Sequence, residues 1–340
     1  MPASSSQFLL SCSNKNAKKK LIPYESDYEN RLTVFTSHKE SVHIPIIREF
    51  EEVTGICVKV VTGGTNELLE KIKKNGNDSD VDIMFGGGVE SLNAYKDCFQ
   101  PYVCSESAFI NEYYLDTDSF WTPFSSLPVV LVYNPKLVKS TELTSWHDLF
   151  NGKFKGKIAF ANPNYSASSF TALVTMALAM KGDSVNVLRD FVNCLDKKTF
   201  DNSGDIITAV SSGNCLVGIT LEEKAGRAVA DAKNIAIVYP KDGTSCIPDG
   251  TAIVKGCKNL KNAKKFLDFT VSKRTQKLLC NELYRRPIRS DIPVGSNAIS
   301  LQKISLVDYD TELAGESRVV LLDLWNELMG EKYNEALSFF

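Results

Sequence analysis

The chain of 340 residues holds only three histidines, His38, His43 and His147, and none stands in the H-E-x-x-H spacing of a zinc peptidase. It has no G-x-S-x-G elbow and no G-x-x-x-x-G-K-[ST] phosphate loop, so no catalytic constellation is supported and the expectation is a protein that is not an enzyme. A basic excess is missing as well. With 39 Lys and Arg against 41 Asp and Glu, the net charge of -2 offers nucleic acid no electrostatic footprint. No apolar run approaches the roughly 20 residues that a membrane-spanning helix needs. No C-x-x-C pair occurs among the nine cysteines, which argues against a zinc or thioredoxin-like site, and no cofactor is expected. What remains is a globular composition, 43% hydrophobic, in a chain too long for one ordinary core, so two domains are expected.

The stretch that organises the rest is Cys57 to Thr65, a β-branched run stopped by Gly63, Gly64 and Thr65. Leu68, Leu69 and Ile72 follow at helical spacing, so the segment reads as strand, tight turn, helix. Such a corner aims backbone N–H groups and the positive end of a helix at whatever sits beside Thr65, which suits an anion. The corner recurs. Leu32 to Thr36 leads through Ser37 and His38 into a helix with Ile44, Ile47, Phe50 and Val53 on its apolar face, and Ser37 and Glu40 match a capping box. Val81 to Phe85 leads into Gly86, Gly87 and Gly88. Further on, Ile158 to Ala161 runs through Ser166, Ser168 and Ser169 into a helix with Phe170 and Leu173 inward, hydroxyls replacing glycines. Asp201 and Glu222 stand at element ends in the same half of the chain.

The unbroken strand from Val129 to Tyr133 reads as a crossover between lobes, and Ile247 to Val254 as the return. The expected division is a tether over 1–28, a discontinuous first lobe over 29–127 and 247–283, and a second lobe over 128–246 and 284–340 that carries C-terminal helices. Leu9-Leu10-Ser11-Cys12 resembles the end of a truncated bacterial lipoprotein signal, which makes Cys12 the expected lipid anchor. The eight other cysteines read as mostly reduced thiols, Cys98 and Cys104 being the only pair near enough in sequence to bridge.

Two α/β lobes with polar corners facing each other resemble the extracytoplasmic solute-binding proteins of bacterial ABC importers. The resemblance runs from Arg31 to about Arg289 and is carried by Leu32 to Glu40, Thr62 to Leu68, Asp82 to Gly88, Tyr133-Asn134-Pro135, Trp146 to Leu149, Gly156 to Ala159, Gln276 and Arg285-Arg286-Pro287. It implies a type II periplasmic-binding-protein fold, with crossing hinge strands and a ligand cleft between the lobes. It also implies a monomer at the periplasmic or outer face of the membrane, with an ABC permease as partner.

Ferric-binding members of this class use two adjacent tyrosines where this chain has Glu222, Glu223 and Lys224, although His38 stands where such members often place a histidine. Iron is therefore the alternative ligand. Sugar-phosphate and phosphonate binders, with glycine-threonine and serine-rich corners, are the nearer match. The resemblance places the ligand at Ser37, His38, Gly64, Thr65, Gly87, Ser168, Ser169, Asp201 and Glu222, the hydroxyl and N–H donors facing phosphate oxygens and the two acids facing the organic part.

Overall fold

The computed structural model describes residues 30–75, 80–295 and 298–330. Cys12 and the tether expected over 1–28 lie outside the described residues. The first lobe starts with β1 (Arg31–Thr36), α1 (Glu40–Thr54), β2 (Cys57–Thr62), α2 (Thr65–Asn75), β3 (Ile83–Gly88) and α3 (Val89–Ala94). β1 pairs in parallel with both β2 and β3, so the three strand-to-helix corners open along the same sheet edge. Leu32, Val34, Ile83 and Phe85 are fully buried in β1 and β3, as a parallel sheet covered on both faces requires. The short β4 (Phe99–Gln100) joins this sheet through the returning strand.

β5 (Thr122–Tyr133) belongs to both lobes, and its sequence explains how. Its first part, through Pro128, pairs with β9 (Cys246–Val254), which also pairs with β3. From Val129 onward it pairs instead with β7 (Val217–Leu221) and β8 (Ala236–Val238) of the second lobe. Pro123 and Pro128 carry no N–H, and they sit at a register shift and at the point where the strand changes partners. The second lobe is completed by β6 (Ile158–Ala159), α4 (Ala167–Met180), α5 (Ser184–Leu195), α6 (Asp205–Ser211) and α7 (Glu222–Ala230). β6 runs parallel to β7, so the corners before α4 and α7 share an edge. Each lobe has its own core, around Phe50, Phe85 and Phe266 in the first and Trp146, Phe160 and Phe191 in the second.

α8 (Leu260–Val271) and α9 (Lys273–Glu282) cover the first lobe, and α10 (Thr311–Glu316) and α11 (Arg318–Met329) close the described chain. The expectation that everything beyond 283 belongs to the second lobe needs correction. Ile288 packs with Cys104, Ile110 and Tyr114, and Tyr309 and Ala314 join a core cluster with Phe35 and Met84, all in the first lobe. Among the described residues beyond 283, α11 enters the second-lobe core through Trp325 and Met329, and Val307 packs against that same core. The face of α1 is also rotated from its expected position: Val42, His43, Ile46, Ile47 and Phe50 are buried, whereas Val53 is exposed. No capping box forms at Ser37, because α1 begins with Lys39 as its N-cap and no side chain caps it. Cys98 and Cys104 are not bridged, and both carry free thiols.

Candidate functional site

Three corners of the first lobe meet tightly. After β1 the chain turns with Thr36 Oγ1 donating to the Phe85 carbonyl at 2.7 Å and accepting from the His38 N–H at 3.1 Å, which pins His38 against β3. A Cβ on Gly86 would lie 2.7 Å from His38 Nε2, and a Cβ on Gly87 would lie 2.8 Å from Thr65 Cγ2. Both glycines have positive φ, +94° and +105°, so the backbone passes here only because no side chains are present. His38, Thr65 and Gly87 are thereby brought together. Ser37 and Gly64 occupy the same corners, half-buried and exposed respectively.

His38 is buried and Nε2 has no hydrogen-bond partner, although Asp249 Oδ2 lies 3.6 Å away. Burial, aided by the nearby Arg285 charge, holds its pKa well below the ordinary histidine value, so the imidazole is neutral.

In the second lobe, Ser166 caps α4, and its hydroxyl is joined by Ser168 Oγ at 3.1 Å and Ser169 Oγ at 3.0 Å. Ser168 and Ser169 are thus together in one hydroxyl knot. Asp201 is exposed in the loop before α6. The same loop presents Ser203, which accepts a hydrogen bond from Lys224 Nζ, and Gly204, where a Cβ would stand 3.1 Å from Lys39 Nζ. Lys39 comes from the β1 corner and Lys224 from the first turn of α7, so two ammonium groups approach one loop from opposite lobes. Burial pushes Lys224 down to about 8, with Glu223 opposing and Lys39 adding to the shift.

Glu222 does not present free oxygens. Arg286 donates to both of them at 2.6 Å and the Tyr239 hydroxyl donates to Oε1 as well. Glu223 pairs with Arg285 at 3.0 Å, and Arg285 also reaches Asp249 at 2.5 Å and Ser125 Oγ at 2.9 Å. Burial works against the Arg285 charge, but Glu223 and Asp249 more than offset it and its pKa lies above the ordinary value. A further bridge between the lobes runs from Thr171 of α4, whose hydroxyl donates to Glu90 Oε1 at 3.0 Å. Tyr309 donates to the same oxygen at 2.8 Å.

Lys39, Lys224, Arg285 and Arg286 were not among the residues expected from sequence at the ligand. A signal existed for the lysines, since Lys39 directly follows His38 and Lys224 stands two residues after Glu222, both already singled out at element ends.

Two α/β lobes, joined by strands that serve both and closing polar corners on each other, define a two-lobed solute-binding protein. The model of the family described as "Bacterial extracellular solute-binding protein" matches residues 78–311, and the chain belongs to that family. It is the solute-binding component of a bacterial ABC importer, with the type II periplasmic-binding-protein fold. The chain is 28% identical over 290 residues to iron uptake protein A1 of Synechocystis, covering 80% of this chain and 79% of that protein. Among solved structures it is similar to the periplasmic binding protein AfuA of Actinobacillus pleuropneumoniae with fructose-6-phosphate bound, at TM-score 0.80 and 21% identity, covering 88% of this chain and 98% of the other. It is also similar to a ferric binding protein from Campylobacter jejuni, at TM-score 0.79 and 21% identity, covering 87% and 99%.

Proposed function

We propose that the cleft captures a small organic phosphate or phosphonate, without turning it over, for delivery to the permease. The observation that carries this reading is the approach of Lys39 and Lys224 to the loop at Ser203 and Gly204 from opposite lobes. Two like charges brought together on closure repel one another unless an anion lies between them. A phosphate dianion supplies both the charge and the acceptor oxygens that hydroxyls and N–H groups at Ser37, Gly64, Thr65, Ser168 and Ser169 would fill. Asp201 is the free acid left to meet hydroxyls or an amine on the organic part. Glu222, with both oxygens engaged, acts in this reading by holding α7 in place.

Calorimetry with fructose 6-phosphate and 2-aminoethylphosphonate, on protein freed of bound metabolites by unfolding and refolding, tests the proposal. Thr65→Val keeps the shape of the side chain and removes one hydroxyl. It is expected to weaken every phosphorylated ligand about ten- to a hundredfold, the worth of one charge-assisted hydrogen bond. Unchanged affinity in Thr65→Val and in Lys39→Gln would sink the reading. Ferric ion is the second reading, and the unpartnered Nε2 of His38 beside Asp249 is the observation in its favour. His38→Ala abolishing ferric binding, with phosphate esters not bound at all, would put iron in place of phosphate.

A further inference from the structure

Glu90 of α3 stands at the seam between the lobes, only 3% exposed. Its Oε1 accepts from Thr171 of the second lobe at 3.0 Å and from Tyr309 of the first-lobe core at 2.8 Å. This places it between the two ligand corners. Glu90 Oε2 fills the space that a Cβ on Gly88 would need, 2.6 Å away, directly after the Gly87 that lies against Thr65. Thr171 follows closely on Ser168 and Ser169 at the start of α4. One turn further along α4 the Thr175 and Ser245 hydroxyls bond at 2.6 Å, and the Ser245 carbonyl accepts from the Val129 N–H where β5 changes lobes. This face of α4 therefore runs from the hinge out along the seam.

Each side of this bond between the lobes has a second partner of its own. The single proton of the Thr171 hydroxyl also has the Ala167 carbonyl within reach at 3.2 Å, one turn back in the same helix. Tyr309 belongs with Glu90, because it packs in the first-lobe core cluster with Val89 and Leu92. Parting the lobes thus strands neither the donor nor the carboxylate, and a stranded group is what makes breaking a buried bond costly. A counter-charge is present too. The Arg318 guanidinium lies 4.4 Å from the centre of the Phe170 ring, and although burial lowers its pKa, the Glu90 charge is the chief influence opposing that shift. We propose that Glu90 and Thr171 form a reversible latch, which holds the cleft shut and sets how long a captured solute is retained. The latch rests on closure around a solute, as proposed above, but not on that solute being a phosphate.

Thr171→Val keeps the shape of the side chain and removes its hydroxyl. Without solute, its radius of gyration in solution scattering should exceed that of the wild type, because fewer molecules are closed, and Thr171→Ser should restore the wild-type value. Dissociation of fructose 6-phosphate, followed by stopped-flow tryptophan fluorescence, should be about tenfold faster in Thr171→Val, the worth of one hydrogen bond to a charged group. The association rate should stay within about twofold. If Thr171→Val does not fold, Thr171→Ala removes the same hydroxyl. Failure of the wild-type protein to bind fructose 6-phosphate would count against the phosphate reading alone, and the scattering comparison then decides the latch. Equal radii for the wild type and Thr171→Val, a radius in Thr171→Ser as large as in Thr171→Val, or an unchanged dissociation rate overturns the proposal.

Discussion

Arg286 grips Glu222 through two hydrogen bonds of 2.6 Å, Nε to Oε2 and Nη2 to Oε1, with both side chains buried. The neighbouring residues repeat the arrangement, Arg285 reaching Glu223 at 3.0 Å. Consecutive arginines that follow α9 therefore hold consecutive glutamates that begin α7. Because Ser126 of β5 donates its N–H to the Arg286 carbonyl, the clasp is anchored on the strand that links the lobes.

A buried pair of this kind costs most when only one partner is removed, since a lone charge is then left without water or counter-charge. Arg286→Met should lower stability by about 3–5 kcal/mol, whereas Arg286→Met combined with Glu222→Leu should recover most of that loss. Urea unfolding of the two variants checks this. Equal losses in the single and the double variant would mean that packing of the arginine stem, not its charge, sustains this seam.

Lys224, pushed down to about 8, links ligand binding to protons. The second ionisation of a phosphate ester, near pH 6, is complete well below that value, so the ligand charge is constant there. An anion between Lys39 and Lys224 favours the charged lysine and raises its pKa. Affinity for fructose 6-phosphate should then fall as pH rises above about 8, by up to about tenfold per unit, with proton uptake on binding. Calorimetry in buffers of different ionisation enthalpy measures the uptake, and Lys224→Met should abolish it.

His38 has the opposite relation to pH. Its imidazole is neutral in the folded protein because burial penalises the charge, while the unfolded chain takes a proton near pH 6.5. The unfolded state thus binds more protons below that pH, and stability is lost as the pH falls from 6.5, by up to about 1.4 kcal/mol per unit. His38→Gln should flatten this part of the profile. Parallel profiles for the two proteins between pH 5 and 6.5, measured by urea unfolding, would exclude His38 as the cause.

The corners were legible in the sequence because their causes are local: a β-branched run, a glycine or serine turn, then apolar residues at helical spacing. Leu68, Leu69 and Ile72, expected on the inner face of α2, are all buried. The crossover of β5 was legible too, since a long apolar strand bounded by prolines has few other uses. The clasp was not, because Arg286 and Glu222 are 64 residues apart and nothing in either neighbourhood identifies the other. Lys39 and Lys224 look like solvated charges until two lobes bring them to one loop. The docking of Ile288, Tyr309 and Ala314 was misjudged for a related reason. The stretch that carries them has little periodic pattern, and its docking is decided by these single side chains finding gaps in the first lobe.

The closeness of Gly87 to Thr65 gives a test of the corner geometry that needs no ligand. Gly87→Ala meets two separate penalties, a positive φ that costs roughly 1–2 kcal/mol for any L-residue and a contact of 2.8 Å with the Thr65 methyl. Only the second can be relieved from the other side. Thr65→Ser removes the methyl and keeps the hydroxyl, so in the Gly87→Ala background it should restore part of the lost stability while costing little in the wild-type background. The coupling between the two substitutions is expected at about 0.5–3 kcal/mol, the range for residues in direct contact. Four urea unfolding curves complete the cycle. Strict additivity would mean that Gly87 and Thr65 do not touch, and that the corners after β2 and β3 stand further apart than the anion site requires.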